Sequence, residues 1–130
     1  MRFLCLAYGN QAKFEAQTAE ELETLLAGCK SRDEALGKTG QVVLQEGLDW
    51  AAKSLRPRGG KTVTTDGPYT EAREVVGGVF IVEAKDLDDA LRVASKHPAA
   101  TLGENLGWGI EVRPMGCSPC KEADAARGSP

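Results

Sequence analysis

Three carboxylates fall close together at Asp66, Glu71 and Glu74, around a Gly67-Pro68 turn. Carboxylates held near one another raise each other's proton affinity, so one of them can serve as a general acid or base near neutral pH. The same stretch also reads as a plain turn, because aspartate, glycine and proline each favour one and the aspartate side chain then bonds backbone. Glu111 and Arg113 stand two residues apart, which puts them on one face of a strand. The planar fork of Arg113 suits an anionic group, and Arg56, just before Pro57, is a second guanidinium of that kind. Charges on an edge strand are equally an ordinary guard against edge-to-edge association. Tyr8 ends an apolar run, where its ring packs and its hydroxyl finds one partner, or where it faces a pocket at the strand end. The candidate catalytic residues are therefore Asp66, Glu71 and Glu74, and the candidate ligand-binding residues are Tyr8, Arg56 and Arg113.

The remaining chemistry-bearing residues read as structural. His97 is the one histidine and precedes Pro98, at the end of an expected helix, where its charge suits the negative end. Cys117-Ser118-Pro119-Cys120 is a C-x-x-C, but a redox pair opens a helix after a strand, and this one lies in a polar tail. A zinc site wants about four ligands, and no second such pair exists. No metal and no cofactor are expected. Cys5 and Cys29 fall on apolar positions and read as core. Gly59-Gly60-Lys61-Thr62 ends like a phosphate-binding loop, yet that motif needs glycine where Leu55 stands, so the stretch reads as a hairpin turn.

The elements that would position these groups follow from periodicity. Phe3 to Tyr8 is apolar on both alternating sets, as a strand covered on both faces would be. Gly9 to Gln17 reads as a loop. Thr18 with Glu21 makes a capping box for a helix running to Lys38, with Leu22, Leu25, Leu26 and Cys29 as its buried stripe. Val42 to Leu48 reads as a strand; Ala52 to Arg56 and Lys61 to Thr65 form a hairpin about Pro57-Arg58-Gly59-Gly60. Gly77-Gly78 separates the polar connector from a strand at Val79 to Val82. Asp86 caps a second helix that Pro98 stops, with Leu87, Ala90, Leu91 and Ala94 inward. A glycine-containing loop from Ala99 to Gly109 leads to a last strand, Ile110 to Pro114, that alternates apolar and charged residues. The stretch from Gly116 on has little apolar content and reads as a mobile tail.

The order strand, helix, strand, inserted hairpin, strand, helix, strand is the split βαβ, ferredoxin-like plan of an α+β domain. That plan makes the first and third core strands central, and those two are apolar on both faces. Two helices cover one face only, so the other apolar face calls for a partner, most simply a second copy in a two-fold dimer. A length of 130 residues, 42% hydrophobic and 27% charged, fits one domain with its own core. A net charge of −3 argues against a nucleic-acid partner. No apolar run is long enough for a membrane helix, and the first residues lack the shape of a signal peptide, so a cytoplasmic location with reduced cysteines is expected.

The segment DGPYTEAREVVGGVFIVEAKDLDDALRVASKHPAA from Asp66 to Ala100, the strand IEVRPM from Ile110 to Met115 and the opening FLCLAYG resemble the DGPF branch of the YCII-related family, over residues 1 to about 115. Tyr69 stands where the branch's name has phenylalanine, and Arg73 where many members carry lysine. The resemblance implies a dimeric α+β barrel. YCII-like members are thought to use a histidine–aspartate pair, but His97 does not sit where that histidine lies, so the pair is not carried onto this chain. The branch resembles proteins encoded beside extracytoplasmic-function sigma factors. Two functional readings follow. One is a small-molecule-binding protein or enzyme with a cleft between sheet and loops. The other is a non-catalytic regulatory or stress-response partner. Asp66 and Arg113 facing a closed polar cavity would favour the first; both facing outward with only an apolar groove remaining would favour the second.

Overall fold

The computed structural model describes residues 1–116. Its spine is β1 (Arg2–Gly9), which pairs antiparallel with β5 (Val75–Glu83) on one side and β6 (Gly109–Pro114) on the other; Cys5 lies opposite Phe80 and Val112. β2 (Val42–Gly47) adds to the far edge of β5, giving the order β2-β5-β1-β6. The two central strands are the first and third of the four, so the α+β chain fits the split βαβ plan.

The alternation of β1 divides the molecule. Phe3, Cys5 and Ala7 are buried, and Phe3 and Cys5 form one core with Phe80 and Val82 of β5, Leu36 of α2 (Ala19–Gly37) and Ala90, Val93 and Ala94 of α3 (Leu87–Ala94). On the opposite face Leu4, Leu6, Val79 and Ile81 are only half-buried, and Leu44 is 45% exposed. The hairpin of β3 (Lys53–Arg58) and β4 (Lys61–Asp66) forms its own two-stranded sheet. Arg58 pairs with Lys61 across Gly59 and Gly60, both at positive φ, the two-residue turn that matches strand twist.

Several boundaries differ from expectation. The expected loop after β1 contains α1 (Gln11–Glu15), capped by Asn10, whose Oδ1 accepts from the Lys13 N–H at 3.0 Å. The Gly77-Gly78 pair does not end an element but lies inside β5, where Gly78 pairs with Ala7 and Gly47. α2 has the expected capping box at Thr18 and Glu21, but its inward residue is Leu36; Leu22, Leu25 and Cys29 are half-buried and Leu26 is 54% exposed. On α3, Val93 takes the core place expected for Leu87 and Leu91, which are nearly half exposed. α3 ends at Ala94, and Pro98 opens α4 (Pro98–Thr101) instead of stopping a helix, as its fixed φ allows at a first helical position. A 3₁₀ turn, Glu104–Leu106, completes the expected loop before β6. The tail's Cys117 and Cys120 lie outside the described residues.

Candidate functional site

A cavity of about 300 Å³ opens on the helix side of the sheet, where the C-terminal end of β1 meets α2. Ala7, Gly9, Gly77 and Gly78 line its sheet side, and the near absence of side chains there makes the space. Its walls are Phe14 from α1, Trp50 from the loop after β2, and Trp108 just before β6. Each is fixed locally. The buried Asn10 donates its N–H to the Leu106 carbonyl at 2.9 Å, docking α1 so that Phe14 meets Trp50 with ring centres 6.1 Å apart. Asp49 accepts from the Ala51 N–H at 3.1 Å, an Asx turn about Trp50. Trp108 packs against Gly103: a Cβ there would run into the indole, and Gly103 sits at φ +69°.

The polar wall comes from α2 and the start of α4. Cys29 and Asp33 are four residues apart and share one helix face. Asp33 Oδ1 accepts from Gln45 Nε2 at 3.0 Å, tying α2 to β2. Gly28 lets Leu102 approach α2 closely, which draws α4 in; a Cβ at Gly28 would stand 3.1 Å from Leu102. His97 caps α4: its Nδ1 accepts from the Ala99 N–H at 3.0 Å, and its ring stacks on Phe80 with centroids 4.6 Å apart and planes within 1°. Burial holds its pKa below the ordinary value, and the Asp33 charge opposes that shift in part. Burial raises the Cys29 pKa, and the same Asp33 charge adds to the rise. The thiol therefore stays protonated at neutral pH. Cys5, deeper in the core, is pushed up to about 11 by burial. Among the described residues no three histidine, cysteine, aspartate or glutamate side chains cluster to hold a metal ion.

The residues singled out by sequence lie mostly elsewhere. Asp66, at the end of β4, pairs with Lys53 at 3.2 Å, both side chains largely exposed. Glu71 is exposed, and Glu74 leans on Gly107. Among the described residues no common partner joins the three carboxylates, and none of them lines the cavity. Arg56 lies over the Tyr69 ring at 4.0 Å and donates to the Tyr69 carbonyl. Tyr8, Glu111 and Arg113 do come together: the Tyr8 hydroxyl donates to Glu111 Oε1 at 3.4 Å, and Arg113 Nε lies 3.8 Å from Glu111 Oε2. Of the six candidates only Tyr8 borders the cavity, with its hydroxyl turned away to Glu111. His97, expected as a helix C-terminal charge, is instead a helix N-cap, because the chain bends at Lys96 and restarts at Pro98. Phe14, Asp33, Trp50 and Trp108 drew no notice in the sequence. A polar Asp33 set among Leu25, Cys29 and Leu36 on the inward stripe of a helix was the available signal, as was a tryptophan held between Gly107 and Gly109.

An antiparallel four-stranded sheet with helices on one face and a cavity beneath them defines an α+β domain. The chain belongs to the YCII-related domain family, whose match spans residues 1–114. It is also similar to an uncharacterised protein of Rhizobium meliloti (strain 1021), 30% identical over 118 residues, covering 88% of this chain and 92% of the relative.

Proposed function

We propose that this chain is a small-molecule-binding protein of the DGPF branch, whose ligand occupies the cavity between α2 and the sheet. One observation carries the reading: the chain's one histidine and both of its tryptophans converge on a single cavity of about 300 Å³. Ligand sites of that size are walled by apolar and aromatic groups with a few placed polar ones. Binding is assigned and no reaction is, because the Cys29 thiol is held protonated and Nδ1 of His97 is spent on the Ala99 N–H. The working form is a homodimer closed over Leu4, Leu6, Leu44, Val79 and Ile81, an apolar face that water would otherwise meet. No described helix is long and apolar enough to cross a membrane, and the free thiols of Cys5 and Cys29 suit a reducing cytoplasm.

The second reading, a regulatory or stress-response partner linked to extracytoplasmic-function sigma factors, draws on Asp66 and Arg113. Both face outward with exposed neighbours. One experiment separates the two. A metabolite library is screened for compounds that raise the melting temperature and also change tryptophan emission. Compounds that do both are expected; a screen in which none does would abandon the cavity in favour of the outward surfaces. Sedimentation at micromolar concentration checks the dimer, with Leu6→Asp expected to give monomer and a monomeric wild type counting against it.

A further inference from the structure

His97 is held as one tautomer. Its Nδ1 lone pair accepts from the Ala99 N–H, so in the neutral ring the proton sits on Nε2. Nε2 has no hydrogen-bond partner among the described residues, and no fully buried polar side-chain atom there lacks one, so this N–H opens to the cavity that His97 lines. Protonating the ring would place a second N–H against that of Ala99 and break the cap. His97 is therefore built to donate one hydrogen bond and not to accept a proton.

The rest of the lining gives the complementary sign. Among the described residues no lysine or arginine borders the cavity. Asp33 presents a carboxylate from α2, close enough to influence both Cys29 and His97. Glu46 also borders it, but along β2 it sits opposite Val79, which belongs to the other face of the sheet. A phosphate or carboxylate entering here would meet a fixed negative charge and no cation. The flat walls are Trp50 and Trp108.

Building on the cavity reading above, we propose that the cavity selects a neutral, flat molecule bearing a carbonyl, whose oxygen accepts from His97 Nε2–H between the two indoles, and that Asp33 excludes anions. This is a site for an amide, ketone or lactam, not for a sugar phosphate or a carboxylic acid.

The chain reports on the site without labels. Both tryptophans line it, so tryptophan emission measures occupancy, and the single histidine gives one set of imidazole nitrogen signals. Phenylacetamide, phenylacetate and phenethylamine share a ring and chain and differ in charge. Titrations followed by tryptophan emission at low salt are expected to show phenylacetamide binding about tenfold more tightly than phenylacetate, a modest Coulombic penalty for a partly solvated pair. Asp33→Asn should bring the two together. His97→Asn, which keeps a capping oxygen but shortens the donor, should weaken phenylacetamide alone. Nitrogen NMR should find Nε2 protonated and shifted on binding. Phenylacetate binding as well as the amide, phenethylamine binding best, or a proton on Nδ1 would each overturn the proposal while leaving the cavity as a binding site. Indifference of the tryptophans to all three compounds would remove the cavity reading and this inference with it.

Discussion

Successive residues of β1 face two different kinds of chemistry. On one side Tyr8, Glu111 and Arg113 form a loose chain of polar contacts at the margin of an apolar face. On the other, Ala7 and Gly9 border a cavity where one imidazole N–H has no partner among the described residues. The first arrangement is rich in charge and chemically quiet, since exposed pairs are screened and contribute roughly 0–1 kcal/mol. The second has few polar groups, and its His97 donor is half-buried, so leaving that donor unmet costs more and a ligand that meets it gains more.

The strongest way to break that contrast is Gly103→Ala. Gly103 combines a left-handed backbone with an indole lying on it, and a methyl group cannot share that space. The left-handed penalty and the overpacking strain together predict a loss of about 2–4 kcal/mol. Trp108 must also move, so the variant should show both a lower unfolding midpoint and a red-shifted emission. Unchanged emission in a destabilised variant would mean that Trp108 is not held by this contact.

A subtler test uses pH. Burial lowers the His97 pKa in the folded protein below its ordinary 6.5. Between those two values the unfolded chain binds more protons than the folded one, so stability is full above about 6.5 and falls as pH drops through the folded pKa. The folded-state pKa values of Glu21 and Asp89 are lowered too, Glu21 chiefly by its bond to the Thr18 backbone and Asp89 chiefly by Arg92, but their loss belongs to the lower carboxylate range. Denaturant unfolding between pH 7 and 5 should therefore show a decline that His97→Asn abolishes. A decline that survives that substitution would place the titrating group elsewhere.

The contrast also explains what could be read from sequence. Strand order and the two faces of β1 were legible, because alternation and capping are local: Thr18 with Glu21 and Asp86 with Asp89 need no distant partner. The cavity was not. It needs Trp50, Trp108, Asp33 and His97, which lie on four separate segments and look like packing or surface when taken singly. His97 was misplaced for a local reason. Pro98 both ends one helix and begins the next, and only the Ala99 N–H pointing back at Nδ1 shows which role won. The carboxylates at Asp66, Glu71 and Glu74 attracted attention because clustered charge is visible in a sequence, whereas exposure is not.

The smallest expected effect sharpens the comparison from the other side. Asp66→Ala removes a carboxylate whose ion pair with Lys53 is held by two mostly exposed side chains at 3.2 Å. The turn itself is held by backbone: the Gly67 N–H donates to the Ala52 carbonyl, and Ser54 Oγ donates to the Gly67 carbonyl, each at 2.8 Å. Neither bond needs the aspartate side chain. Stability should change by less than about 0.5 kcal/mol, and binding of phenylacetamide should not change at all. Arg113→Ala should behave alike towards that ligand, because its partner Glu111 lies beside Tyr8 on the outer face. A large loss of binding in either variant, with folding intact by circular dichroism, would return the site to the charged segment and reverse the ranking of the two regions.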